Sequence, residues 1–258
     1  MIFKGYNNSM KYTLGIDVGG TKIAAGLVDG SFKVHKIKVL YTSQTDLISQ
    51  LIRLIEGFDG FSSIGLGVPG RVRPDGTVIK LPNVRNFKKS NLKKLLEKRF
   101  GVSVHVMNDA QAFTLAESIA GSTKKFKHVA GVIMGTGIGG GVVINRKLYS
   151  GEKYFRGGSW GIIEVKPSVT LEQAMHKFGK FANAEQAGPF AEVIIAYILK
   201  VLKPEAIVFG GGRIKFPSIE KVLRQALKEV APRSKVAVKR SSLKYPGVVG
   251  AALPLLRR

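Results

Sequence analysis

The first forty residues alternate between short apolar runs and turn residues. Three apolar runs, at 13–17, 23–28 and 34–40, are separated by segments that contain glycine and aspartate. Apolar runs of this length, divided by turn residues, are typical of strands joined by tight turns. The pattern therefore predicts an antiparallel meander of three strands at the start of the chain.

Helical and extended patterns alternate after this meander. Residues 43–56 and 91–100 place their apolar side chains at helical spacing, whereas residues 63–68 and 103–107 form short apolar runs. A further helix is predicted to begin near Ala110. Strands that alternate with helices predict an α/β fold with largely parallel sheets.

The opening pattern then occurs a second time. A predicted strand at 128–134, a glycine run at 135–141 and a strand at 142–145 repeat the strand, glycine turn and strand found at the start. The two glycine turns lie roughly a hundred residues apart, which indicates a duplicated unit with two facing phosphate clamps. Later predicted elements are helices at 171–178 and 184–202, strands at 206–209 and near 236, and helices ending at 230 and 256.

This repeat predicts two lobes. The smaller lobe comprises residues 11–109, and a last helix at about 246–258 is placed to pack back on it. The larger lobe comprises residues 110–245. No linker rich in proline or serine separates the two, so we expect the lobes to hinge against each other.

The composition is that of an ordinary globular protein. Of the 258 residues, 45% are hydrophobic and 22% are charged. No apolar run approaches the ~18 residues of a membrane span, and the first residues do not resemble a secretory signal. The chain has no cysteine, which excludes disulfides and thiolate metal sites and favours a cytoplasmic location.

The net charge of +24 is unusual for a chain of this length. Clustered Lys and Arg would indicate a nucleic-acid partner. Here the basic residues are dispersed, and neither a zinc-finger nor an RNA-binding signature accompanies them. We therefore expect no nucleic acid as the main partner and no membrane partner. The same field attracts anionic substrates such as nucleotides. We also expect a homodimer.

The first glycine turn carries candidate chemistry. Asp17 is followed by Gly19, Gly20 and Thr21. Adjacent N–H groups in such a turn form a nest for phosphate, and glycine allows the phosphate to approach closely. Asp17, at the mouth of the nest, is placed to hold a water of a phosphate-bound Mg²⁺. The turn alone is equally consistent with a plain hairpin.

Six short motifs, taken in order, resemble the ROK family of sugar kinases and related repressors. The resemblance extends from about residue 11 to 256, and the motifs lie at 17–22, 67–70, 82–83, 108–112, 135–141 and 210–212. It implies an α/β chain with the two-lobed actin-like ATPase (ribonuclease H-like) fold, each lobe a mixed sheet flanked by helices. It also implies phosphorylation of a sugar or sugar-like substrate by ATP with Mg²⁺.

The resemblance gives each motif a role. Asp109 is the expected general base for a sugar hydroxyl, and the small-molecule sugar is expected to contact Gly70, Asn83, Asn108 and Glu172. ATP and Mg²⁺ are expected at the glycine motifs and the acid that precedes the first of them: Asp17, Gly19, Gly20, Thr21, Gly135, Thr136, Gly137, Gly139, Gly210, Gly211 and Gly212.

Several of these residues also have simpler interpretations. Asp109 and Glu172 are acids at predicted helix starts, where the backbone favours them without any catalytic role. Asn83 and Asn108 are common turn residues. The four histidines show no metal-ligand spacing and are interpreted as structural or exposed.

The sequence departs from the family in the region of the expected acceptor site. Ser159 stands where the family has a sugar-binding glutamate, and Ile162 stands where it has a zinc- and sugar-binding histidine. The cysteine loop is missing, so no zinc is expected. Trp160 and Ile162 could form an apolar wall for a substituted substrate, although Trp160 is more often simply core.

These losses leave three alternatives for the acceptor side: an unusual substrate, a low affinity, or no activity. The leading hypothesis is a sugar kinase that uses ATP. A non-catalytic protein that binds a nucleotide or another ligand is the rival hypothesis. A kinase that uses another phosphate donor, such as polyphosphate, is a variant favoured by the positive charge.

Overall fold

A computed structural model of the chain describes residues 12–81, 87–149 and 158–256. These residues form two compact units. Unit 1 contains the described residues up to Asp109 and those from Gly247 onwards, and unit 2 contains those from Ala110 to Pro246. No helix among the described residues is both long and apolar enough to cross a bilayer.

Unit 1 is built on a five-stranded sheet in the order β3-β2-β1-β4-β8. Its elements are β1 (Tyr12–Val18), β2 (Lys22–Val28), β3 (Val34–Tyr41), α1 (Leu47–Glu56), β4 (Phe61–Val68), β5 (Arg71–Val72), β6 (Thr77–Lys80), β7 (Ser90–Asn91), α2 (Leu92–Phe100) and β8 (Ser103–Asn108). β1, β2 and β3 pair antiparallel, so the predicted meander is confirmed.

The parallel strands of unit 1 bring three strand ends to one edge. β1 pairs parallel with β4 and places Asp17 opposite Gly67. β4 pairs parallel with β8 and places Val68 opposite Asn108. The carboxyl ends of β1, β4 and β8 therefore lie side by side, with neighbouring strands ~4.8 Å apart.

Unit 2 repeats this arrangement in a second five-stranded sheet, in the order β11-β10-β9-β14-β15. Its elements are α3 (Asp109–Ile119), β9 (Val129–Met134), β10 (Ile138–Ile144), β11 (Lys147–Leu148), β12 (Glu164–Lys166), β13 (Val169–Thr170), α4 (Leu171–Phe178), α5 (Gly188–Val201), β14 (Ala206–Gly210), α6 (Ile219–Val230) and β15 (Ala237–Arg240). The last helix of the chain, α7 (Pro246–Ala252), returns to unit 1 from Gly247 onwards. Short 3₁₀ helices occur at Trp160–Ile162, Glu185–Ala187 and Gly212–Ile214. In both sheets the central strand pairs antiparallel with the strand that follows it and parallel with a later one.

Two element boundaries differ from the predicted ones. Helix α1 begins at Leu47 rather than at Ser43, because the Asp46 side chain caps it by accepting from the Ser49 N–H. The second glycine turn is shorter than predicted, because β10 begins at Ile138 and includes three of the glycines.

Two of those glycines, Gly140 and Gly141, allow close packing against the sheet of unit 2. A Cβ on Gly140 would lie 1.9 Å from the Gly131 carbonyl oxygen and 2.2 Å from Nε1 of Trp160. A Cβ on Gly141 would lie 2.7 Å from Oγ1 of Thr114. Glycine is required there because a helix and an indole ring lie against the strand backbone.

Trp160 anchors the core of unit 2. The side chain is fully buried, and its Nε1–H donates to the Gly131 carbonyl oxygen at 2.7 Å. A buried indole with a hydrogen-bond partner is a core residue. Of the two alternatives for this residue, the core interpretation is therefore confirmed, and Trp160 cannot form the wall of a substrate site.

Helix α7 packs on the sheet of unit 1 through two glycines. A Cβ on Gly15 of β1 would lie 2.1 Å from the Val248 carbonyl oxygen. A Cβ on Gly65 of β4 would lie 1.9 Å from the Ala251 carbonyl oxygen. The helix backbone therefore lies directly against the strand backbone at both glycines.

We expect Gly65→Ala to lower the free energy of unfolding by about 1–3 kcal/mol, since the added methyl group must displace α7. Gly30→Ala is the matched control, because no atom lies within 4 Å of a Cβ at that position. Its effect should stay within about 0.5 kcal/mol. Urea unfolding of the two variants beside the wild type measures both values. Equal midpoints for the two variants would contradict the close packing of α7.

Candidate active site

Two acidic residues lie at the edge where β1, β4 and β8 end. Asp17 is the next-to-last residue of β1, and Asp109 is the first residue of α3, directly after β8. Burial, and secondarily the nearby Asp109 carboxylate, raise the pKa of Asp17 to about 7. Like charges held close together in a partly dry site disfavour ionisation. A divalent cation would relieve that repulsion.

Asp17 also lies against the first turn of α7. A Cβ on Gly247 would lie 2.1 Å from Oδ2 of Asp17. Only glycine leaves room for the carboxylate at this position. The same helix that packs on the sheet therefore also encloses the acidic residue.

The first glycine turn is held by the segment that follows β3. The Gly19 N–H donates to the Lys22 carbonyl oxygen at 2.9 Å. Thr42 Oγ1 donates to the Gly19 carbonyl oxygen at 2.8 Å, and Gln44 Nε2 donates to the Gly20 carbonyl oxygen at 3.2 Å. Two carbonyl oxygens of this turn therefore accept from side chains, and Thr21 is exposed at its end.

Asn108 orients the turn that follows β4. Its Nδ2 donates to the Gly70 carbonyl oxygen at 3.0 Å, and Gly70 has a φ of 92°. Two of the four residues predicted to contact substrate, Gly70 and Asn108, are thus joined to each other. Asn83 lies outside the described residues.

The second glycine turn, Gly135–Gly137, contains an internal backbone hydrogen bond and also accepts hydrogen bonds from two side chains elsewhere in unit 2. The Gly135 N–H donates to the Gly137 carbonyl oxygen at 2.9 Å. Arg213 Nε donates to the Gly135 carbonyl oxygen at 2.8 Å. His176 Nε2 lies 2.6 Å from the Thr136 carbonyl oxygen. Because a carbonyl only accepts, the imidazole nitrogen must carry the proton in this bond.

Sequence reasoning missed the part that His176 and Arg213 play in this turn. One signal was available for His176, which follows Glu172 by four residues and so lies on the same face of α4. A signal for Arg213 was its place directly after the last glycine motif. Neither signal identifies a partner, because both bonds connect segments far apart in the chain.

The Glu172 side chain contacts the same turn. Its Oε2 accepts from the Ile138 N–H at 2.7 Å, and a Cβ on Gly137 would lie 2.6 Å from that oxygen. A Cβ on Gly161 would lie 2.9 Å from it. Ile162, next to Gly161, is 51% exposed. The residue predicted to bind substrate therefore braces the turn and also contacts the 3₁₀ helix at Trp160–Ile162.

The last glycine motif, residues 210–212, contains two glycines that are packed closely against the protein and one that adjoins open space. A Cβ on Gly210 would lie 2.5 Å from the Phe113 ring, and one on Gly211, whose φ is 106°, would lie 2.3 Å from the Met134 carbonyl oxygen. No atom lies within 4 Å of a Cβ at Gly212. Gly139 belongs to β10, where it pairs with Ile133. Only Gly212 of these four leaves open space for a ligand.

Within residues 12–81, 87–149 and 158–256, no group of three or more histidine, aspartate or glutamate side chains could hold a metal ion. A magnesium ion that is bound through one or two carboxylates and the phosphates of a substrate needs no such group.

Comparison with known proteins identifies the family. A sequence model of the ROK family matches residues 13–171, more than half of the chain. The chain belongs to the ROK family. The N-acetyl-D-glucosamine kinase of Salmonella typhimurium is 31% identical over 266 residues, which cover 83% of this ROK chain and 88% of that enzyme. The glucokinase of Streptomyces coelicolor is 36% identical over 169 residues, which cover 63% of this chain and 52% of that enzyme.

A solved structure has the same fold as this ROK protein. The ROK family glucokinase from Streptomyces griseus, in complex with glucose and AMPPNP, has a TM-score of 0.80 and is 24% identical. The match covers 94% of this chain and 98% of that one. The expected class, the actin-like ATPase fold with mixed sheets flanked by helices, is therefore confirmed.

The raised pKa of Asp17 predicts a pH-dependent loss of stability. The folded pKa of about 7 lies above the ordinary value of 3.8. Between these values the folded state holds more protons than the unfolded state, so the free energy of unfolding falls as the pH rises. Relative to Asp17→Asn, the wild type should lose about 2–3 kcal/mol between pH 5 and pH 8.

Urea unfolding at both pH values, in buffer containing a chelator, measures this loss. Asp75→Asn is the control, because hydrogen bonds from Thr77 lower the pKa of Asp75 and keep it ionised across this range. Parallel pH profiles for the wild type and Asp17→Asn would show that Asp17 titrates normally.

Proposed function

We propose that the chain transfers the γ-phosphoryl group of ATP to a hydroxyl of a sugar or sugar-like substrate, with Asp109 as general base. The observation that carries this proposal is the pair of carboxylates, Asp17 and Asp109, at the edge where three strands end. Phosphoryl transfer requires positioned phosphates, neutralised charge and a base near the acceptor hydroxyl, and little else.

The chain shares its enzyme class with the two relatives, the N-acetyl-D-glucosamine kinase and the glucokinase. Both relatives are sugar kinases, which are phosphotransferases with an alcohol group as acceptor. Their names differ in the acceptor, which is N-acetyl-D-glucosamine for one and glucose for the other. The family therefore supports a sugar acceptor for this chain without choosing between a plain and a substituted sugar.

The described residues suit a magnesium complex of a nucleotide. Magnesium prefers carboxylate and phosphate oxygens, and Asp17 supplies a carboxylate beside a glycine turn. When bound, the ion neutralises phosphate charge. Gly19–Thr21 and Gly135–Gly137 supply two backbone turns. In each turn the first two carbonyl oxygens accept from side chains of the protein. The open backbone at Gly212 leaves room for the base of the nucleotide.

Asp109 is the proposed base because of its position. It begins α3 directly after Asn108, whose side chain is fixed to the Gly70 carbonyl oxygen. A carboxylate in the first turn of a helix is stabilised by the partial positive charge of the helix N-terminus. Asp109 would accept the proton of the acceptor hydroxyl as the hydroxyl oxygen attacks phosphorus.

The acceptor side supports an unusual substrate or weak binding of plain hexoses. Ile162, next to Gly161, exposes an apolar side chain. By the resemblance of the motifs, Ser159 supplies a hydroxyl where the family has a carboxylate. Each charged hydrogen bond that is missing removes roughly 1.5–3 kcal/mol of interaction with a hydroxyl. A substrate with fewer hydroxyls, or with an apolar substituent, would lose less.

The loss of charged residues on the acceptor side also favours a second candidate function, that of a non-catalytic binding protein. With Ser159 and Ile162 in place of charged ligands, the chain could bind a nucleotide or a small ligand without transferring phosphate. A screen for ADP release over a panel of plain, deoxy and N-acetylated sugars separates the two. Binding of Mg²⁺·ATP without turnover on any sugar or with any phosphate donor would favour the binding protein.

We expect Asp109→Asn to lower kcat by about 10²–10⁴, the usual contribution of one general base, and to leave ATP binding intact. Steady-state kinetics and calorimetry with Mg²⁺·ATP measure the two quantities. Asp75→Asn, an equivalent change in a surface turn, should leave kcat unchanged. A variant Asp109→Asn with wild-type kcat would place the base elsewhere.

We expect Asp17→Ala to abolish most of the gain in ATP affinity that Mg²⁺ provides. Calorimetry with ATP, in Mg²⁺ and in EDTA, gives the ratio of the two affinities for each protein. Affinity in EDTA should not fall, because the substitution removes a negative charge that repels the phosphates. An unchanged ratio would mean that Asp17 does not interact with the ion.

A further inference from the structure

Arg213 occupies an unusual position in unit 2. It is the middle residue of the 3₁₀ helix Gly212–Ile214, directly after the last glycine motif. Its Nε donates to the Gly135 carbonyl oxygen at 2.8 Å, and its Nη1 donates to the Gly179 carbonyl oxygen. The guanidinium carbon lies 5.9 Å from the centre of the Phe181 ring. The side chain therefore joins three separate segments around the second glycine turn.

This guanidinium group has no counter-ion among the described residues. In that part of the chain, no carboxylate oxygen lies within 4.0 Å of its nitrogens, although Arg213 is partly buried. Glu172, the acid that contacts the same turn, uses its Oε2 for the Ile138 N–H. A partly buried charge without a partner is costly, and an anion from solution can remove that cost.

One nitrogen of the group remains available. Nε and Nη1 bond to backbone carbonyl oxygens, whereas no residue of the described ranges accepts from Nη2. Arginine presents its N–H groups in a rigid plane, so the two existing bonds also fix the direction of the third nitrogen. The donor is therefore oriented before any ligand arrives.

We propose that Arg213 is an anion ligand, which fixes the second glycine turn through two bonds and donates from Nη2 to a phosphate group. The proposal extends the proposed function, since the phosphate in question is that of the phosphoryl donor. It also accounts for an arginine rather than a lysine here, because an ammonium group cannot hold two carbonyl oxygens and a phosphate in one plane.

The test uses inorganic tripolyphosphate, which has neither base nor ribose, together with Mg²⁺·ATP. Dissociation constants are measured by calorimetry at fixed salt, at about the ionic strength of the cell. For Arg213→Met we expect both ligands to bind about tenfold to a hundredfold more weakly than to the wild type. Arg213→Lys keeps the charge but loses the planar arrangement of donors. Its dissociation constants should therefore lie between those of the wild type and those of Arg213→Met.

Arg224→Met is the matched control. It removes the same charge from α6, where Arg224 pairs with Glu220 at 2.6 Å on an exposed surface. The net charge of +24 attracts anions at long range, and this attraction falls equally in Arg213→Met and Arg224→Met. A difference between the two variants therefore reports direct contact between Arg213 and the ligand. Binding to Arg224→Met should stay within about twofold of the wild type.

The kinetic expectation separates positioning of the donor from a general loss of structure. In Arg213→Lys the KM for Mg²⁺·ATP should rise while the KM for the sugar stays unchanged. Amide hydrogen exchange across residues 134–139 should increase in both Arg213 variants, since the bond to the Gly135 carbonyl oxygen is weakened or lost. If Arg213→Met does not fold, Arg213→Lys carries the test by the same readouts.

The proposal and the proposed function fail in different ways. Equal tripolyphosphate binding by the wild type and the folded Arg213 variants overturns the proposal, as does a wild type that binds no tripolyphosphate. ATP-dependent phosphorylation would then still stand on its own evidence. Binding that depends on Arg213, in a protein that phosphorylates no sugar, would sustain the anion ligand and overturn the kinase.

Discussion

The burial of Asp17, with Asp109 nearby, is the constraint on which the rest of the site depends. Parallel pairing of β1, β4 and β8 brings the two carboxylates to one edge, and burial with the Asp109 charge raises the pKa of Asp17 to about 7. A buried acid beside a second acid lowers stability when both are ionised. Unfavourable groupings of this kind are typical of functional sites, where the ligand supplies the missing charge.

The glycines show why a glycine-rich motif is ambiguous evidence for a ligand. Gly15, Gly65, Gly141 and Gly210 allow backbones and side chains to approach one another closely, and any Cβ there would clash with the protein itself. Gly212, in the same motif as Gly210, adjoins open space. Both roles need the same residue for the same steric reason, so sequence alone cannot separate them. Only the tertiary neighbours distinguish a packing glycine from one that leaves room for a ligand.

Local patterns predicted most of the fold, because strand and helix signals lie within a few residues of one another. The meander at the start, the repeated strand and glycine turn, and the helix at 171–178 are all present. The glycine run at 135–141 predicts one turn, but its second half is strand, because Gly139, Gly140 and Gly141 pair with β9. The bonds from His176 and Arg213 to the turn span 40 and 78 residues, and no local pattern encodes such contacts.

Glu172 connects the donor and acceptor sides of the proposed site. Its Oε2 accepts from Ile138 at the end of the glycine turn and lies against Gly161 of the short helix that carries Ile162. That helix cannot shift freely, because Trp160 within it is buried and bonded to Gly131. A change of side chain at Ser159 or Ile162 therefore alters the surface offered to a substrate while the backbone beneath stays fixed. Acceptor preference can thus diverge while the glycine turn proposed to bind phosphate keeps its shape, provided that Glu172 is retained.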